Sequence, residues 1–383
     1  MSAPVRLAVL ASSLTVGGAE QLLLDLLARL DRRAFDVRLA FLQADPGPLG
    51  RELGALGLPT VTALRAGRLD PLCPWRLLRW FRRQDTEVVL GINHLDCLLY
   101  GLPAAKAAGA PFVNWENETG RPYRLHGLTM AVRRLALAWT DRVVAAAEGH
   151  AAFVRQVEGV PEGRIVVIRN GVDPARSAST LTRAEARAGL GLGATVPVVA
   201  QVAALRPDKA HEVMLEAFAR VRRAQPEAVL LLAGDGPRRR DLEALADRLG
   251  LGECCRFLGV RRDVGDVLAA ADVFALSSDP LQETLSVAAI EAMFAGLPVV
   301  ATAVGSMDEI VVPGRTGLLV PHRRPDLLAE ALTGLLADPE AARRQGQAGR
   351  DLALARYDIA SMVAGFEALL GSLARARREK RTA

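Results

Sequence analysis

The sequence predicts an α/β protein of two doubly wound, Rossmann-like domains. Short apolar runs of strand length alternate with helix-period patterns along most of the chain, the mark of a parallel sheet covered on both faces. The alternation pauses once, near Asn170, and then restarts. With 383 residues the chain also exceeds what one hydrophobic core usually supports, so two domains of ordinary size follow.

The first domain is expected over residues 1–173. Val5-Arg6-Leu7-Ala8-Val9-Leu10 reads as a buried strand, and residues 18–30 place leucines at 22, 23, 26, 27 and 30 on one helical face. Residues 37–41, 87–90, 112–113 and 142–146 read as further strands with helical patterns between them. Residues 174–195, rich in Ala, Arg, Ser, Thr and Gly, read as a linker with one short helix. The second domain, 196–355, opens on the strand Val196-Pro197-Val198-Val199-Ala200. Its later strands are expected at 228–233, 256–258, 273–276, 298–301 and 317–320, with helices through 210–224, 237–249, 263–270, 286–295 and 325–337. Residues 356–383 supply a last helix, around 359–375, and a basic tail; the pattern leaves open which domain that helix packs on.

Half of the residues are hydrophobic and 24% are charged, a globular balance. No uninterrupted apolar run reaches the roughly 18–20 residues of a membrane-crossing helix. The N-terminus passes straight into a strand, so no export signal is expected. Cys73, Cys97, Cys254 and Cys255 show neither metal-ligand spacing nor a disulfide framework, which suits reduced cysteines in a cytoplasmic protein. The net charge of +5 is uneven: residues 1–173 hold 21 Lys and Arg against 17 Asp and Glu, 174–373 hold 22 against 25, and 374–383 hold 5 against 1. A basic first half suits an anionic membrane surface or anionic acceptor, and an ordinary solvated surface with a frayed tail explains it equally. No nucleic-acid partner is expected.

On open α/β sheets ligands bind beyond the carboxyl ends of the strands, and four loops there carry candidate chemistry. In the first, Gly17 and Gly18 open a helix directly after a strand, where backbone amides favour an anion; a plain turn explains them as well. In the second, Arg206 and Lys209 stand at a helix entrance and can clamp a diphosphate, or be a solvated pair. The third, Ala233-Gly234-Asp235-Gly236-Pro237, lacks the glycine spacing and the later acidic residue of a dinucleotide site. The fourth runs from Ser277 to Met293: Glu283 precedes a helix, Glu291 lies within it among apolar residues, and the free backbone amides at 285–287 would face a diphosphate or a sugar. A buried carboxylate on such a helix needs a partner, which sugar hydroxyls would supply; a capping carboxylate with one surface glutamate is the plainer alternative.

These residues closely resemble the retaining GT-B glycosyltransferases of glycosyltransferase family 4 (glycosyl transferases group 1), a resemblance that implies two Rossmann-like domains facing a central cleft. The resemblance rests on Glu283 and Glu291 with seven residues between them, followed by Ala292-Met293-Phe294-Ala295-Gly296-Leu297-Pro298-Val299-Val300. It extends over nearly the whole chain, through Gly17-Gly18-Ala19-Glu20, Ile168 to Asp173, Lys209, Gly234 to Pro237, Phe257-Leu258-Gly259 and Gly314 to Val320. The resemblance implies that Glu291 binds the donor ribose and Glu283 the transferred sugar. It implies that Lys209 and an arginine, here Arg206, neutralise the leaving diphosphate together with the turn Thr284-Leu285-Ser286. Gly236 would belong to the donor site, Val260 and Arg261 would line the base, and Gly17 and Gly18 would close over the phosphates. No metal or other cofactor is implied.

Three departures accompany the resemblance. Ala204 stands where the family usually has arginine, with Arg206 two residues on. Glu283-Thr284-Leu285-Ser286 replaces Glu-Gly-Phe-Gly. Asn117 stands where a first-domain histidine is expected near the reacting sugar, with His94 in a different loop, slightly out of register. The expected function is retaining transfer of a sugar from a UDP-, GDP- or ADP-sugar to a hydroxyl of a glycan or lipid-linked acceptor, in glycan, polysaccharide or glycolipid synthesis. A sugar-nucleotide binder without turnover and a nucleotide-sugar epimerase are the alternatives. Residues 75–83 and 127–139 mix aromatics, leucines and arginines as interfacial helices do, so peripheral attachment at the inner face of the membrane is one expectation; core faces with snorkelling arginines are the other.

Overall fold

A computed structural model describes residues 3–14, 17–67, 69–92, 95–117, 127–280 and 283–382. The chain divides into two compact units, one of residues 1–171 with 359–383 and one of residues 172–358.

The first unit is built on seven parallel strands: β1 (Val5–Ala11), β2 (Phe35–Phe41), β3 (Thr60–Val61), β4 (Val88–Ile92), β5 (Phe112–Trp115), β6 (Arg142–Ala145) and β7 (Ile165–Val167). Their order is β3-β2-β1-β4-β5-β6-β7. Strands β1, β4, β5 and β6 are buried almost throughout, as continuous apolar runs in a two-faced parallel sheet must be. The helices are α1 (Gly18–Arg29), α2 (Gly47–Ala55), α3 (Cys73–Arg83), α4 (Leu102–Ala107), preceded by a π-helical turn at Cys97–Gly101, then α5 (Leu128–Trp139) and α6 (Glu148–Gln156). Leu22, Leu23, Leu26 and Leu27 of α1 are buried, the face their spacing predicts.

The second unit holds six parallel strands: β8 (Val198–Val202), β9 (Val229–Ala233), β10 (Cys255–Gly259), β11 (Val273–Leu276), β12 (Val299–Thr302) and β13 (Gly317–Val320), ordered β10-β9-β8-β11-β12-β13. Around them lie α7 (Pro174–Ser177), α8 (Arg183–Gly189), α9 (His211–Ala224), α10 (Arg239–Arg248), α11 (Val264–Ala270), α12 (Val287–Phe294), α13 (Pro325–Ala337) and α14 (Pro339–Arg356). The expected strands and helices of this half fall on these elements to within about two residues. In both units strand order reverses at one place, between β1 and β4 and between β8 and β11, the topological switch points where such sheets bind ligands.

Two parts of the expected organisation differ. Residues 174–195 do not form a free linker: α8 packs on α11, and Arg187, 2% exposed, donates to four backbone carbonyls and pairs with Asp272 at 2.9 Å. The final helix, α15 (Ile359–Thr382), runs seven residues past the expected end and belongs to the first unit. Phe366 meets Trp115 with ring centroids 4.5 Å apart, and Arg378 forks onto Glu87 at 2.6 and 2.8 Å. The basic tail is therefore helical and part of its charge is neutralised. By length and composition α15 could cross a membrane, yet Phe366, Leu370 and Ala374 are fully buried in the unit.

Candidate functional site

In the second unit the chain is forced into tight turns where β8, β9, β11 and β12 end. Gly234, at φ +142, and Gly236 lie so close to the loop after β8 that a Cβ would collide with the carbonyl oxygens of Ala203 and Leu205. Leu205 N donates to Asp235 O at 3.0 Å, locking the two loops backbone to backbone. The missing side chain of Gly236 thus has a packing reason of its own. The loop leads through Pro207–Lys209, one turn of 3₁₀ helix, and Ala210 at φ +43 into α9.

That turn delivers Lys209 to the switch point, where its Nζ donates to Glu283 Oε2 at 2.6 Å. Ser278 Oγ, just past β11, donates to the same oxygen at 2.7 Å. Glu283 is 7% exposed, so the lysine and hydroxyl offset the cost of burying its charge. The backbone is fixed as well: Ser306 N donates to Thr284 O at 2.7 Å, and Gly305, at φ +58, presses so closely that a Cβ there would strike the Glu283 carbonyl. Ser286 then caps α12, its hydroxyl accepting from Ala289 N at 3.3 Å. Helix α12 begins at Val287 with Thr284 and Leu285 buried ahead of it.

Glu291 is the fifth residue of α12 and is 6% exposed. The sequence reading gives it sugar hydroxyls as partners; the chain itself supplies Arg176 of α7 at 3.4 Å. Arg206 is half-exposed and directed to Asp208 at 2.9 Å, so in this state it is engaged by a carboxylate. Val260 is exposed on the loop after β10, and Arg261 forks onto Asp263 at 2.8 and 2.5 Å, which holds the Asp263 carboxyl below its usual range. His211, buried at the start of α9, has its pKa pushed down to about 4 by desolvation, with the Lys209 charge adding to the effect. Sequence reasoning passed over Arg176, Gly305 and the pair Arg323–Asp279, joined at 2.6 and 3.2 Å. Gly305 was findable as a glycine just beyond a buried strand; the two arginines carry no local signal.

In the first unit Gly17, in extended conformation, is the N-cap of α1 and Gly18 its first residue. Across the β1/β4 switch point Ser12 Oγ donates to Asp96 Oδ2 at 2.7 Å, and Arg65 donates to the same oxygen at 2.8 Å. Asn117, half-buried, follows Glu116 beyond β5. Glu116 and Glu158 both accept from Arg133 at 2.7 Å, and all three are buried. His94 lies outside the described residues. Among the described residues no group of three or more His, Cys, Asp or Glu is arranged to hold a metal ion.

The chain matches the family model for glycosyl transferases group 1 over residues 182–352 and that for glycosyltransferase family 4 over residues 16–176. It is 32% identical over 300 residues to the α-maltose-1-phosphate synthase of Mycolicibacterium smegmatis, covering 70% of this chain and 72% of that one. The chain belongs to glycosyltransferase family 4. The chain is also 36% identical over 219 residues to the D-inositol 3-phosphate glycosyltransferase of Nocardia farcinica, covering 55% of this chain and about half of that one (48%). The fold is GT-B: a structure of Anabaena HepE in complex with UDP and glucose superposes with a TM-score of 0.85 at 24% identity, covering 96% of this chain and 100% of that one.

Proposed function

We propose that this glycosyltransferase moves a sugar from a nucleotide-sugar donor to an acceptor hydroxyl with retention at the anomeric carbon, in glycan, polysaccharide or glycolipid synthesis. The observation that carries the reading is the fixed trio Lys209, Ser278 and Glu283 at the β8/β11 switch point, ahead of a helix that bears Glu291. In this reading Lys209 moves from Glu283 to the leaving diphosphate, and Glu283 turns to the hydroxyls of the transferred sugar. Glu291 takes the donor ribose, with Arg176 holding its carboxylate in place. The amides of Leu285 and Ser286 and the cation Arg206 complete the charge on the diphosphate, so a metal is not required for neutralisation. Gly236, Val260 and Arg261 border the nucleotide.

Asn117 stands on the acceptor side and cannot act as a base. Deprotonation of the acceptor therefore falls to an oxygen of the departing phosphate, on the face where the new bond forms. A UDP-sugar donor is favoured by the fold neighbour crystallised with UDP and glucose, and GDP- and ADP-sugars complete the panel to be tried. The test is a thermal-shift panel of these three donor classes on the full chain, since a ligand held only by the folded state raises its melting temperature by mass action. One class stabilises the protein, and Glu291→Ala removes most of that shift. An unchanged shift in the variant overturns the ribose assignment. Asn117 in place of histidine also fits a relative that binds donor without turnover; donor binding with no transfer to any acceptor in a sugar-acceptor array selects that reading.

A further inference from the structure

Helix α5 carries two apolar faces. Leu137 is buried beside Arg133, which is 1% exposed and clasped by Glu116 and Glu158, while Leu128 and Leu135 stand 79% and 73% exposed on the outer face. Val132 and Trp139 continue the same stripe at helical spacing and are 40% and 51% exposed. A surface helix of a globular domain ordinarily buries its apolar stripe and presents its charges. Leaving these residues in water forgoes the gain that their burial brings. Beside the stripe a groove of about 520 Å³ runs between α5 and the π-helical turn and α4, floored by Leu98, Leu102 and Pro103.

The neighbouring elements make this one face rather than one odd helix. Helix α3 packs on α4, and the π-helical turn packs on both α3 and α5. Trp75 on α3 is 57% exposed, with the Arg79 guanidinium 5.5 Å from its ring centroid. Across this layer the sequence holds four arginines in α3, one lysine in α4 and two arginines in α5, and no Asp or Glu at all. Lys106 pairs with Asp141 and Arg76 with Asp70. Arg79, Arg82, Arg83 and Arg134 are exposed; Arg82 and Arg134 donate to the neutral carbonyls of Ala107 and Val157, and neither pairs with a carboxylate among the described residues.

We propose that the α3–α4–α5 face of the first unit docks on an anionic lipid bilayer. The α5 stripe enters the boundary between headgroups and acyl chains, and the arginines sit among the lipid phosphates. The exposed arginines select the partner: a bilayer containing anionic lipid complements them, and Arg and Trp side chains pair an apolar body with a polar head as that interface requires. The inference stands apart from the transfer reading, since it uses none of the donor-binding residues.

The experiment is sedimentation of the full chain with vesicles of phosphatidylcholine, with and without phosphatidylglycerol, over a range of salt. The protein sediments with the anionic vesicles at low salt and less as salt rises. Leu128→Ser/Leu135→Ser keeps the wild-type melting temperature and binds about tenfold more weakly or worse. Trp139→Phe removes part of the blue shift in tryptophan emission that accompanies binding. Failure of the wild type to sediment overturns the proposal, and so does equal binding by the double serine variant. A wild-type dimer that the double variant dissolves also overturns it, because a second copy would then cover the face.

Discussion

At Glu283 one oxygen accepts from both Lys209 and Ser278, and a glycine at 305 keeps the backbone behind it clear. Of these residues the sequence exposes Glu283 and Lys209, since a carboxylate before a helix and a cation at a strand-to-helix loop are local patterns. It does not expose Arg176 or Arg323, whose partners lie 115 and 44 positions away along the chain. The same distance effect hides the state of two histidines. His150 and His211 are each about 1% exposed, and burial depresses both to about 4 from a usual value of 6.5. His150 faces Glu116, which opposes the depression, and Arg133, which adds to it; its Nδ1 accepts from Ala146 N at 3.1 Å. Above pH 6.5 neither state binds the proton. Between 6.5 and about 4 the unfolded chain binds it and the folded chain does not, so stability falls as pH falls, by up to about 1.4 kcal/mol per pH unit for each histidine. Urea unfolding between pH 7.5 and 5 measures the slope, and His150→Gln makes it shallower. A variant with the wild-type slope would show that His150 is protonated in the folded state.

Elements were more legible than residues. Periodicity found the strands of the second unit and its helices α9 to α13, though not α14, because each is a run of consistent chemistry bounded by glycine or proline. It missed β3 and β7, two and three residues long and only partly buried, which are held by pairing to a neighbour rather than by a pattern of their own. With α5 it found the stripe but not its direction: leucine, valine and tryptophan at helical spacing look alike whether they face a core or the outside. The direction is set by Arg133, and this makes a prediction for the element. Arg133→Met removes the guanidinium that buried Glu116 and Glu158 share and destabilises the first unit by about 3–5 kcal/mol. Adding Glu116→Gln and Glu158→Gln to that variant removes the stranded charges and restores most of the loss. Equal stability of the single and triple variants in urea unfolding would mean that α5 is anchored by its apolar contacts alone.

At the scale of the whole chain, the division into units was legible as a pause near residue 170, but the chain's return was not. Helix α15 follows the second unit in sequence and completes the first in space, through contacts at separations no local reading reaches. Asp31 N donates to Glu367 at 2.9 Å, and Arg378 reaches Glu87. Its central anchor is Phe366, fully buried and tilted 56° against fully buried Trp115. Phe366→Ala removes most of an aromatic side chain from that core, at a cost of about 3–5 kcal/mol. Because the residues that hold Glu283 and Glu291 come from the other unit, the loss should be confined to the first. In calorimetry the variant's first unit melts early, as a separate transition that the stabilising nucleotide-sugar does not move, while the later transition keeps its ligand-induced shift. If instead one cooperative transition falls in temperature and the ligand shift is lost with it, the two units depend on each other for stability, and the donor site cannot be assigned to the second unit alone.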